Sequence, residues 1–112
     1  MSSKRKVAIL GATGAVGQRF IQLLQGHPWF TIAVLAASER SAGKKYKDAC
    51  NWVMEANLPK ELAEMTVADA TLESVEKAGT VDLIFSSLPG DLAGPVEAEF
   101  AALYPVFSKA SA

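Results

Sequence analysis

The sequence predicts an α/β chain built on a doubly wound, mostly parallel sheet with flanking helices. Short, largely apolar runs recur at residues 7–10, 31–37 and 81–86, as expected of strands buried on both faces of a sheet. Segments with helical spacing alternate with them, and strand–helix alternation suits right-handed parallel crossovers. The first run ends in a glycine-rich stretch, Gly11-Ala12-Thr13-Gly14-Ala15-Val16-Gly17, that leads into a helical segment.

Each element has its own warrant. Residues 7–10 read Val-Ala-Ile-Leu and stop at glycine, which marks a central strand. Val16, Phe20, Leu23 and Leu24 fall at i, i+4, i+7 and i+8, one stripe of a helix that Gly26 and Pro28 end. The second strand, over 31–37, is followed by a polar loop over 38–45. Trp52, Val53 and Leu58 call for burial, while Pro59 interrupts any long helix there. Residues 65–68 predict a short strand. Leu72, Val75 and Glu76 predict a short helix closed by Gly79. Residues 81–86 form a further strand, Val96, Phe100 and Leu103 a helical stripe, and residues 105–107 a last strand. No internal repeat, low-complexity segment or linker divides the chain, so residues 1–112 are expected to form one domain.

Composition narrows the function classes. The 112 residues are 50% hydrophobic and 21% charged, a globular balance. Eleven basic side chains nearly cancel twelve acidic ones, which argues against nucleic acid or an anionic membrane as partner. A lone cysteine, Cys50, rules out an internal disulfide framework and fits a reducing, cytoplasmic setting. The basic start before residue 7 superficially resembles a signal peptide, but Gly11, Gly14 and Gly17 break its apolar core. No apolar run approaches the length of a membrane span.

The glycine stretch carries the chemistry. A loop between a buried strand and a helix N-terminus presents unpaired backbone N–H groups, and the helix dipole adds positive character. A pyrophosphate is held there without a lysine. The spacing is G-x-x-G-x-x-G rather than G-x-G-x-x-G. The roles carry over: Gly11 for the tight turn, Gly14 for close phosphate approach and Gly17 for helix–strand packing. Thr13 adds a hydroxyl. The alternative is a glycine turn used only for packing.

The end of the second strand selects the cofactor. An acid there would accept from the ribose 2′-OH of NAD, and Glu39 is the one candidate. Ser38, Arg40 and Ser41 instead suit the 2′-phosphate of NADP, with Arg40 offering a fork of donors. NADP is the expected cofactor, against the alternative of a solvated polar loop. Ser86 and Ser87, in the turn Ser86-Ser87-Leu88-Pro89-Gly90, fall on the rim where doubly wound sheets bind ligands. They are either cofactor contacts or a helix-capping turn. Cys50 has no histidine near it in sequence, and packing is its expected role. His27 is read as a helix-end residue. No ligand spacing suggests a metal.

With these residues in place, the chain resembles the archaeal and fungal branch of the aspartate-semialdehyde dehydrogenases. The matching segments are residues 7–20, from Val7-Ala8-Ile9-Leu10-Gly11 to Arg19-Phe20; Ala37-Ser38-Glu39-Arg40-Ser41-Ala42-Gly43-Lys44-Lys45-Tyr46; Asp82-Leu83-Ile84-Phe85-Ser86-Ser87-Leu88-Pro89; and Val106-Phe107-Ser108-Lys109-Ala110-Ser111. The resemblance implies a Rossmann-like NADP-binding portion of a two-domain, homo-oligomeric enzyme of lysine, threonine and methionine synthesis. That family's cysteine attacks the aldehyde, hydride passes to the cofactor, and phosphate releases aspartyl phosphate; biosynthesis runs the reverse. It implies pyrophosphate contact for residues 13–16, 2′-phosphate contact for Ser38, Arg40 and Ser41, and a place beside a cofactor ribose for Ser86 and Ser87.

The chain departs from the family in two ways. Lys109 stands where the family usually has asparagine near the nicotinamide. The family's catalytic cysteine, its glutamine or glutamate, its substrate arginine and its histidine lie beyond residue 112, and Cys50 matches a non-catalytic position. The expectation is thus an incomplete fold relative to the two-domain family, with the catalytic and dimerisation domain absent and this chain alone inactive. Small-molecule substrate would be met through the missing domain. Related reductases, of N-acetyl-glutamyl phosphate or malonyl-CoA, are the enzymatic alternative. A stand-alone, non-catalytic NADP-binding module is the other.

Overall fold

A computed structural model describes residues 4–38, 40–55, 57–88 and 90–108. Its elements run β1 (Arg5–Leu10), α1 (Ala15–Leu24), β2 (Phe30–Ala37), α2 (Tyr46–Ala49), α3 (Lys60–Ala63), β3 (Ala68–Asp69), α4 (Leu72–Ala78), β4 (Leu83–Ser86), α5 (Gly90–Ala101) and β5 (Val106–Ser108). The strands form one sheet in the order β3-β2-β1-β4-β5. Every pairing is parallel. The expected doubly wound architecture is therefore the one found.

Alternation along β1 feeds two cores. Val7 and Ile9 point to the side covered by Ile21 and Leu24 of α1, Tyr46 of α2 and Leu62 of α3. Ala8 and Leu10 point to the other side, against Val75 of α4 and Phe100 of α5. All four β1 side chains are fully buried, which explains why the run is continuous rather than alternating. The order of the sheet reverses direction between β1 and β4. Their carboxyl ends thus flank the crevice where such sheets receive ligands.

Several local expectations are corrected. The buried face of α1 is Gly17, Gln18, Ile21 and Leu24, whereas Val16 and Leu23 are 39% and 65% exposed. The apolar stripe of 16, 20, 23 and 24 is real in sequence, but the small Gly17 lets the helix sit closer on the face one residue away. The strand expected over 65–68 is the two-residue β3, with Thr66 only bridging Lys45. Pro59 does not merely interrupt a helix but caps the start of α3, where its missing N–H costs nothing. Val53, expected inside, is 59% exposed. Leu103 falls beyond α5 and is also exposed. Thr71 caps α4 by accepting from Ser74 N at 3.2 Å, and Gly79 follows the helix as expected.

Candidate functional site

An open cleft of about 660 Å³ lies over the carboxyl ends of the strands. Gly11, Thr13 and Gly14 form its floor, Ala37, Ser38, Asp69 and Ala70 one flank, and Ser87, Leu88 and Val96 the other. The floor follows from the β1–α1 connection. Gly11 and Ala12 N–H groups both donate to Ala36 O at 2.9 Å, and Gly14 N donates to Gly11 O at 3.2 Å. Gly11 adopts φ +78°, open to glycine without strain. A Cβ there would also come within 2.8 Å of Ser87 Oγ. Gly17 packs still more tightly: its Cβ would strike the Gly11 carbonyl and lie 2.8 Å from Ala12 Cα.

Gly14 caps α1, with no side-chain cap and no acid in the first turn. The first helical bond recorded across the cap runs from Gln18 N to Gly14 O at 2.9 Å. Among the described residues, no acceptor meets the N–H groups of Thr13, Ala15, Val16 or Gly17. Several donors at the positive end of a helix therefore lack a protein partner. That arrangement accepts an anion.

The expected site residues divide into groups. Gly11, Thr13, Gly14, Ser38 and Ser87 line the cleft. Gly17 lies beneath it as packing. Ala15 and Val16 bring backbone donors to it, while their side chains border a separate apolar groove with Arg19, Phe20, Leu23 and Met54. Ser38 opens a tight turn in which Ser41 N and Ala42 N donate to its carbonyl at 2.9 and 3.1 Å. Arg40, exposed on that turn, makes no ion pair among the described residues. Glu39 and Lys109 lie outside the described residues, as does Pro89 of the serine turn.

The two serines separate. Ser86 is fully buried and donates to Glu97 Oε2 at 2.6 Å, a carboxylate that Ser108 Oγ also reaches at 2.9 Å. It therefore braces β4, β5 and α5 together and does not line the cleft. Ser87 does line it, and its hydroxyl is shared between Leu10 O at 3.0 Å and Gly11 O at 3.1 Å. Its role is to tie β4 to the glycine loop.

Cys50 lies behind the loop rather than in the cleft. Its Sγ accepts from Gln18 Nε2 at 3.2 Å and approaches Thr13 O at 3.8 Å. Burial pushes the thiol pKa up, the opposite of what a nucleophile needs. Gln18, only 2% exposed, also donates to Thr13 O and Asn51 O and accepts from Val53 N. Tyr46 OH donates to Ala12 O at 2.6 Å. This brace was not legible in sequence, because the bonds from Gln18 and Tyr46 that close it span 32 or more positions. His27 accepts from Trp29 N at 3.1 Å and packs on Phe30, away from the cleft. No group of three potential metal ligands occurs among the described residues.

Asp69 was also missed. It ends β3, and the strand was expected to stop one residue earlier, leaving the acid unassigned to the rim. A correct strand boundary would have exposed it.

Comparison with known proteins agrees with this geometry. Residues 6–112 match the family described as semialdehyde dehydrogenase, NAD binding domain. The chain is 49% identical over 106 residues to the aspartate-semialdehyde dehydrogenase of Methanothermobacter thermautotrophicus, covering 95% of this chain and 30% of that protein. It is 47% identical over 100 residues to the Saccharomyces cerevisiae enzyme, covering 89% and 27% respectively. The crystal structure of aspartate semialdehyde dehydrogenase with NADP from Candida albicans superposes with a TM-score of 0.88 at 45% identity, covering 97% of this chain and 30% of that one. The chain thus spans less than a third of the length of these relatives. Glycine loop, parallel sheet and sequence similarity agree, and the chain belongs to the semialdehyde dehydrogenase NAD-binding domain family.

Proposed function

We propose that residues 1–112 are the NADP-binding portion of an aspartate-semialdehyde dehydrogenase. The observation that carries this is the set of acceptor-free N–H groups at Thr13, Ala15, Val16 and Gly17 above a glycine floor. The pyrophosphate would rest there. Ser38, Arg40 and Ser41 would surround the 2′-phosphate, with Arg40 supplying a charge that no described partner neutralises. Ser87 would border the far ribose through its backbone, its hydroxyl being committed to the loop. Ser86 would act only by holding that turn in place.

When bound, the nicotinamide accepts or supplies the hydride. The chain's own residues bind and orient the cofactor. Cys50 is directed at the loop's back and carries a raised pKa, so the thiol chemistry would belong to the remainder of a longer, homo-oligomeric enzyme. The lone cysteine accords with a cytoplasmic setting.

Calorimetry with NADP and with NAD tests the cofactor assignment: NADP is expected to bind more tightly. Equal affinities would remove the 2′-phosphate site. An assay of the 112-residue chain with aspartate semialdehyde, phosphate and NADP is expected to give no turnover. Measurable turnover would overturn the assignment of catalysis to other residues.

A further inference from the structure

Among the described residues, Asp69 is the acidic side chain that lines the cleft. It ends β3, in register with Ala37 at the end of β2. Its Oδ1 accepts from Ala70 N at 2.9 Å, an N–H it shares with Ala37 O at 3.0 Å. No other hydrogen bond or ion pair engages it among the described residues. A half-buried carboxylate in a cleft built for an anion is repelled by that anion unless it meets a donor.

The sheet acts as a ruler for which donor. β1, β2 and β3 are successive neighbours, and neighbouring strands are spaced about 4.8 Å apart. Asp69 therefore stands roughly 10 Å across the sheet from the phosphate loop, about the length of an adenosine. The end of β2, with Ser38, would lie beside the ribose of a dinucleotide whose phosphates rest on the glycine loop. The base would fall one strand further, where Ala37 and Ala70 offer small apolar walls for its ring. Adenine has one strong donor pair, its exocyclic amine.

Resting on the NADP reading above, we propose that Asp69 selects adenine by accepting a hydrogen bond from the 6-amino group. The cleft thereby discriminates a 6-amino purine from a 6-oxo purine, whose oxygen would face the carboxylate with like polarity.

The test compares NADP with its deamino analogue, in which hypoxanthine replaces adenine, by calorimetry on the full chain and on Asp69→Asn. The Asn side chain retains an oxygen for Ala70 N and turns an N–H donor toward the base, where it opposes a 6-amino group and suits a 6-oxo group. Wild type is expected to favour NADP by about tenfold or more, as for a hydrogen bond to a charged acceptor. The variant is expected to lose that preference or to favour the deamino analogue, with an unchanged melting temperature reporting intact folding.

Wild-type binding of both dinucleotides with equal affinity would overturn the base contact while leaving the cofactor assignment standing. Intact base discrimination in Asp69→Asn, with a loss confined to NAD, would move the carboxylate to the ribose and equally overturn it. Failure of wild type to bind NADP at all would overturn both the dinucleotide reading and this one.

Discussion

A methyl group added at Gly17 would strike the Gly11 carbonyl and approach Ala12 Cα to 2.8 Å, whereas one added at Gly14 would meet only Gly11 O at an ordinary 3.7 Å. The two glycines therefore serve different ends. Gly17→Ala is expected to destabilise the fold by about 1–3 kcal/mol, as overpacking does, with a lowered denaturant midpoint. Gly14→Ala should leave that midpoint nearly unchanged and still weaken NADP binding, because the methyl occupies the anion's line of approach. Equal stability losses in both variants would contradict this division. Arg40 is separable in another way, since it sits on an exposed turn with no ion pair among the described residues. Arg40→Ala is expected to cut the preference for NADP over NAD by about tenfold or more while sparing NAD affinity. An unaltered ratio in calorimetry would place the 2′-phosphate elsewhere.

At the scale of elements, the irregular stretch from α2 to α3 braces the glycine loop from behind. Tyr46 presents its hydroxyl to Ala12 O, and Gln18 joins Thr13, Cys50, Asn51 and Val53. The Tyr46→Phe variant leaves the Ala12 carbonyl without that partner, at a cost of about 1–3 kcal/mol, or roughly 4–8 °C in melting temperature per kcal/mol. Burial, the largest cause, pushes the Tyr46 phenol well above its ordinary range. The folded state thus holds a proton that the unfolded chain releases near about pH 10. The stabilisation is complete below that pH and is lost as pH rises beyond it. Urea midpoints should fall between about pH 9 and about pH 11, and fall less in Tyr46→Phe, which has no phenol to ionise. An identical drop in both proteins would remove Tyr46 as the source.

Across the whole molecule, coverage of the sheet is uneven. On the β1 side bearing Val7 and Ile9, α1, α2 and α3 supply the cover, and α4 and α5 lie on the other side. Phe85 and Phe107, paired in register on β4 and β5, face the α1 side with ring centroids 5.5 Å apart. Phe107 remains 54% exposed. Phe20 stacks on Phe85 at 5.4 Å and continues the surface into the groove with Val16, Leu23 and Met54. A continuous apolar surface of this kind favours association. Light scattering of the 112-residue chain is expected to show mass rising with concentration, and Phe107→Glu should reduce it. A monodisperse wild-type monomer at high concentration would refute the expectation. Lys45 and Lys47, by contrast, converge on Glu64 at 2.8 and 2.7 Å. They hold its carboxyl down to about 2, at an exposed site where salt screens the effect.

The sequence by itself determined the sheet class, the glycine loop and the serine–arginine–serine turn, because each depends on contiguous residues. Buried parallel strands read as unbroken apolar runs, and the mechanical demands on Gly11, Gly14 and Gly17 fall within one turn of chain. Only the tertiary structure decided which face of α1 is buried, since Gly17 draws that face inward against the stripe's larger residues. Only it separated Ser87, at the cleft, from Ser86, committed to Glu97 on another element. It alone brought Gln18 and Tyr46 beneath the loop and Asp69 to its far flank. Those placements depend on strand order and crossover path, which join residues tens of positions apart and leave no periodic trace in the chain.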